Sequence, residues 1–204
     1  MTLSHLQLTG FVVVENLPGS LTLQATLLGS ILVVLWGLEL VDTVLLRGAL
    51  NRLGIRPRTF GGLIGVAFAP LLHGGLRHLA TNTGPFAVLG WLLLLRGIPD
   101  FVVVTAVVWL TSGLGAWLFG GPRTNHLGVS GVVFGYFSFL LCIGYFERSP
   151  LALGVAALTG ILYSGMIWGV LPIRRGKSWQ SHLFGLVGGG LAAWHLLDLR
   201  QLVL

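Results

Sequence analysis

Gly128-Val129-Ser130-Gly131 heads a stretch that stays apolar as far as Phe146. From Ser130 that stretch holds 17 residues, about 25 Å of helix at a rise of about 1.5 Å per residue. The hydrocarbon core of a bilayer is about 30 Å thick. A helix this short cannot reach both surfaces. Glu147 and Arg148 hold its far end at the interface, so Ser130 is left a few ångströms inside the membrane. The glycine-rich residues 120–128 must dip to meet it. Irregular backbone at that depth is tolerated only where protein or a water-filled cavity covers it. The segment therefore predicts a wet cavity with a serine on its floor.

The rest of the chain supports a membrane setting. Of 204 residues, 54% are hydrophobic and 9% charged, and the mean hydropathy is +0.89. A soluble domain carries roughly 25% charged residues, too many more for this chain to solvate a globular surface. The 31 glycines suit close helix crossings. Long apolar runs exclude the short alternating segments of a barrel. The net charge of +6 comes from basic residues lying between the apolar runs, where they read as membrane-surface anchors; no motif supports nucleic-acid binding. The lone Cys142 reads as a small buried hydrophobe.

Outward from Ser130, five more apolar runs fall at about 23–46, 76–95, 101–119, 151–170 and 182–202, giving an all-α membrane protein with a six-transmembrane-helix bundle. Residues 1–22, with a turn signal at Pro18-Gly19, read as a short tail or interfacial segment before one domain over 23–204. No Lys or Arg precedes Arg47, so the segment lacks the basic start of a cleaved signal peptide and is expected to be retained. Residues 60–72, broken by Gly61, Gly62, Gly65 and Pro70, read as a partly inserted loop with short helices.

Polar clusters stand at the starts of the second, fourth and sixth spans. They are His73-Gly-Gly-Leu-Arg-His78-Leu-Ala-Thr-Asn82, the Ser130 motif, and Ser181-His182-Leu-Phe-Gly185. Even-numbered spans joined by short connections run the same way, so their first turns share one membrane face. His78 and Asn82, at i and i+4, share a helix face as well. A serine needs a base to act as a nucleophile, and His182 is the candidate. Gly131 and Gly135 on one helix and Gly185 and Gly189 on the other allow the close approach this requires. An oxyanion would find backbone N–H groups at the start of the fourth span, at Val129 and Ser130, with side-chain donors at His78 and Asn82. No carboxylate follows His182 at a useful spacing, which predicts a Ser–His dyad without an acid.

These motifs resemble the rhomboid family of intramembrane serine proteases. That family carries His-x4-His-x3-Asn on its second helix, Gly-x-Ser-Gly at the start of the fourth, and a His followed by spaced glycines on the sixth. The resemblance covers about residues 23–204. It implies Ser130 as nucleophile, His182 as base, and His78 and Asn82 as oxyanion helpers, with His73, Gly128, Gly131, Phe134 and Gly185 in support. It implies transmembrane protein substrates with small residues at the cleavage site, a bacterial cell membrane, and neither metal nor organic cofactor. Phe134 stands where the best-known members have Tyr, which keeps stacking on His182 and removes a hydroxyl. Ser181 replaces a common Ala, and the first loop is short and lacks the Trp-Arg signature of many members. The basic residues gather on the Ser130 side, so the positive-inside rule turns the active site toward the cytoplasm, whereas the family's usual orientation turns it outward; the two expectations disagree, and basic residues of an inserted loop seated among headgroups would leave the family orientation open.

Taken singly, each motif has a plainer reading. Gly-Val-Ser-Gly alone suits a tight crossing, and with Val132 in place of a last glycine it does not match the nucleophile elbow of soluble hydrolases. Intramembrane His and Asn are costly and functional by default, and four such residues on one face favour catalysis. Two other readings compete: a non-catalytic rhomboid-like client-binding protein, which would lack the serine or histidine, and a small transporter, which would spread polar residues through the full depth. Glu39 and Asp42 read as an interfacial pair facing the basic stretch Arg47–Arg58, His126 as a loop histidine near the surface, and Trp91, Trp117 and Trp179 as an aromatic belt.

Overall fold

The computed structural model describes residues 17–172 and 178–196. The basic loop of Arg174, Arg175 and Lys177, residues 1–16 and the end of the predicted last span lie outside the described residues. Within them the regular structure is helical, apart from one isolated antiparallel bridge between Ile55 and His126.

Helix α1 (Leu17–Val44) begins before the predicted residue 23. Pro18 and Gly19 form its first turn, not a turn ahead of it, because a first-turn residue has no intrahelical partner for its N–H and proline loses nothing there. After α1 a short 3₁₀ helix (Ala49–Leu53) follows. Asp42, buried, accepts the Leu50 N–H at 2.8 Å, and Glu39, also buried, accepts from the Thr43 hydroxyl at 3.0 Å. Asp42 thus ties the end of α1 to the loop, while the Glu39 hydrogen bond stays within the helix.

Helix α2 (Phe60–Phe68) is capped by Thr59, whose hydroxyl accepts the Gly62 N–H at 3.0 Å, and runs into a 3₁₀ turn (Ala69–Leu71). A bend of 66° separates this segment from α3 (Leu76–Leu94). Helix α4 (Ile98–Phe119) holds α2 through two indoles: Trp109 donates to the Val66 carbonyl and Trp117 to the Thr59 carbonyl, each at 2.9 Å. Trp117 therefore pins one element to another in addition to any belt role. An indole N–H that finds a carbonyl is satisfied away from water, which a list of aromatic positions does not reveal.

Helix α5 (Ser130–Glu147) is central, with every residue from Ser130 to Phe137 buried. Helix α6 (Pro150–Tyr163), capped by Ser149, loosens into a seven-residue 3₁₀ segment (Ser164–Val170) within the predicted fifth span. Helix α7 (Trp179–Trp194) starts three residues ahead of His182. The α5–α7 contact is made by glycines. A Cβ on Gly185 would strike the Gly131 carbonyl, and one on Gly189 the Gly135 carbonyl.

Four helical stretches are long and apolar enough to cross a membrane, or five when the bent α2–α3 pair counts as one. The sixth predicted span corresponds to α7, which has 16 residues among those described. At the end of the bundle away from Ser130, Arg96 is fully buried. Its Nε donates to Asp100 at 3.1 Å and its guanidinium to both Glu147 oxygens at 2.9 and 2.5 Å. Two turns that the sequence separates by some fifty residues are thereby clamped together.

Candidate active site

Ser130 opens α5. Its N–H falls in the first turn, where no intrahelical acceptor exists. Gly128, just ahead, has φ of +108°, a conformation open to glycine alone at little cost. Its close surroundings add a second requirement: a Cβ there would lie 2.9 Å from His78 Cε1 and 3.1 Å from His78 Nε2. The Gly128 N–H donates to the Ala69 carbonyl at 2.9 Å, so the dipping loop is anchored to the end of the α2 segment.

His182 lies in the first turns of α7, and its Nε2 is 2.9 Å from Ser130 Oγ. Phe134, one turn along α5 from the serine, stacks on the imidazole with centroids 4.1 Å apart and planes 4° from parallel. On the ring's other nitrogen, Nδ1 is 2.9 Å from the Gly169 carbonyl oxygen. Ser130 and His182 are both buried, with 9% and 8% of their surfaces exposed, and line a cavity of about 840 Å³.

His78 and Asn82 of α3 line the same cavity. His78 Nδ1 accepts the Gly74 N–H at 3.3 Å, which leaves Nε2 as the protonated nitrogen of the neutral ring, on the side facing Gly128. Asn82 Nδ2 is buried and has no hydrogen-bond partner among the described residues. Residues of α3 and the start of α5 thus line one space around Ser130.

Val129, expected among the oxyanion donors, is placed differently. Its N–H points to His73 Nε2 at 3.4 Å, and His73 is fully buried against His78, ring centroids 5.2 Å apart. His73 so holds the chain just ahead of the serine, while His78, Asn82 and Ser130 line the cavity. The spacing of the motifs identified the donors' neighbourhood, but the direction of one peptide N–H depends on the turn that Gly128 makes.

His126 is the clearest departure. It is 4% exposed, with Nδ1 2.8 Å from Ser178 Oγ and Nε2 2.9 Å from Thr124 Oγ1. Its main chain pairs both ways with Ile55 at 3.0 Å. Burial pushes its pKa below the ordinary imidazole value. It ties the loop ahead of Ser130 to the residue that precedes α7. Ser178 and Gly169 went unnoticed in the sequence, since a loop serine and a main-chain carbonyl carry no signature in residue type. Among the described residues no cluster of His, Cys, Asp and Glu is arranged to hold a metal ion.

A sequence model of the rhomboid domain matches residues 61–199. Uncharacterized proteins of Mycobacterium bovis and Mycobacterium tuberculosis are each 42% identical over 172 residues, covering 80% of this chain and 71% of the relative. One of Mycobacterium leprae is 41% identical over 172 residues, covering 80% of this chain and 67% of that protein.

Proposed function

This chain is an integral membrane protein that belongs to the rhomboid family, and on that premise we propose that it is an intramembrane serine endopeptidase. The observation that carries the reading is the 2.9 Å approach of His182 Nε2 to Ser130 Oγ in the lining of a cavity. Ser130 attacks a peptide carbonyl, and His182 takes its proton and passes it to the leaving amine. In this reading the developing oxyanion is met by His78 Nε2–H, Asn82 Nδ2–H and the Ser130 N–H. Water then hydrolyses the acyl-enzyme. The cavity lies among apolar helices long enough to cross a membrane, which suits a transmembrane segment of another protein as substrate, in a bacterial cell membrane. The acid-base and nucleophilic roles are filled by side chains, so the proposed reaction uses no cofactor.

The test is labelling of the detergent-purified protein by a fluorophosphonate. Wild type is expected to label, and Ser130→Ala and His182→Ala to lose the label. A folded wild type that stays unlabelled, or a Ser130→Ala variant that labels equally well, would replace this reading with that of a non-catalytic client-binding protein.

A further inference from the structure

We propose that the main-chain carbonyl of Gly169 is the orienting partner of His182, in the place a carboxylate takes in a three-member serine triad. The inference rests on the protease reading above and assigns a positioning role on the 3₁₀ segment Ser164–Val170.

The first argument is the proton inventory. His182 Nδ1 lies 2.9 Å from the Gly169 oxygen. A carbonyl oxygen only accepts, so Nδ1 carries the hydrogen. A neutral imidazole has one N–H, and Nε2 is left with its lone pair toward the Ser130 hydroxyl at 2.9 Å. One contact thus selects the tautomer that the base needs. When the Ser130 proton moves to Nε2, the imidazolium still donates from Nδ1 to Gly169, so the new charge meets a fixed dipole.

The second argument is that the carbonyl is available. In the 3₁₀ pattern the oxygen of residue 169 would accept from residue 172. That residue is Pro172, which has no N–H. The 3₁₀ partner position therefore offers no N–H to compete with His182 for this acceptor.

The third is shape. A Cβ on Gly169 would come within 2.5 Å of Phe134 Cζ and 3.5 Å of His182 Nδ1. The main chain comes this close to the imidazole only because the residue is glycine. Phe134 fixes the plane of the ring by stacking, and Gly169 fixes its rotation within that plane. Among the described residues lining the cavity there is no carboxylate, and the other titratable side chain is His78.

The test replaces Val170 in the full chain by its α-hydroxy analogue. The 169–170 linkage becomes an ester, whose carbonyl is a weaker acceptor, and no side chain changes. Fluorophosphonate labelling rates are then measured across pH in detergent. The plateau rate is expected to fall about fivefold, the loss of one neutral hydrogen bond. The acid limb of the profile is expected to move to lower pH, since the weakened acceptor supports the imidazolium less. The same ester placed at Ile167, an outward-facing residue of the strip, keeps the wild-type profile. An unchanged rate for the Val170 ester, or a lower plateau with an unmoved limb, overturns the assignment and leaves the protease reading standing. An unlabelled wild type removes both.

Discussion

His126 is a loop residue by sequence and a buried one by structure, and the difference has a pH consequence. Its ring is enclosed between Thr124 and Ser178, and burial holds its pKa below the usual value of about 6.5. Above that pH the ring is neutral in both folded and unfolded chains and costs nothing. As pH falls through about 6.5 the unfolded chain takes up the proton first, so stability declines until the buried ring itself titrates. The thermal midpoint of wild type is therefore expected to drop more between pH 7.5 and 5.5, roughly the range spanning an ordinary histidine, than that of His126→Gln, which keeps amide hydrogen bonding without a titrating group. Equal drops would show that His126 is protonated at no cost where it sits. The sequence held one clue: His126 is four residues ahead of Ser130, within the segment that must dip.

At the scale of elements, the distance between Ser130 and His182 is set by the seam between α5 and α7. Gly185 sits over the Gly131 carbonyl and Gly189 over the Gly135 carbonyl, contacts between main chains that cannot rotate away. Gly185→Ala must push the helices apart, at a cost of roughly 1–3 kcal/mol for overpacking. It also separates His182 from Ser130, one turn from the collision. The expected result is a lowered thermal midpoint and at least a tenfold slower fluorophosphonate reaction. Gly154→Ala on α6, where a Cβ meets nothing within 4 Å, is the matched control and should lower neither, since an unhindered alanine favours a helix. A Gly185→Ala protein that reacts at the wild-type rate would mean that the seam does not set the distance. At the opposite end, the Arg96 clamp joins the α3–α4 turn to the end of α5. The cationic side chain, with no surface exposed, is compensated there by Asp100 and Glu147.

For the whole molecule, the outward faces are apolar. Val33 on α1 is 72% exposed and Ile161 on α6 is 78% exposed, as lipid contact requires. A lysine near the middle of a spanning helix costs about 2.5–3.5 kcal/mol on insertion scales. Val33→Lys is expected to reduce the fraction of protein that resists carbonate extraction, while Val33→Leu leaves it unchanged. Full insertion of Val33→Lys would show that this face of α1 does not meet lipid. The exposed arginines Arg47, Arg52, Arg56, Arg58, Arg77 and Arg123 all lie in connections or a first turn on the Ser130 side. Arg96, on the other side, is neutralised by its carboxylates, so the charge asymmetry of the surface is greater than a count of residues suggests.

The membrane setting, the order of the helices, the shared face of His78, Asn82, Ser130 and His182, and the glycine seam were all legible in the amino-acid sequence. Each follows from periodicity, length or residue type, which act locally along the chain. The tertiary structure alone decided where hydrogen bonds point. It turned the Val129 N–H to His73, seated His182 Nδ1 on the Gly169 carbonyl, buried His126 against Ser178, and joined Arg96 to Glu147. These depend on the rotation of single peptide planes and on residues far apart in the chain. Spacing and composition do not encode such directions; packing does.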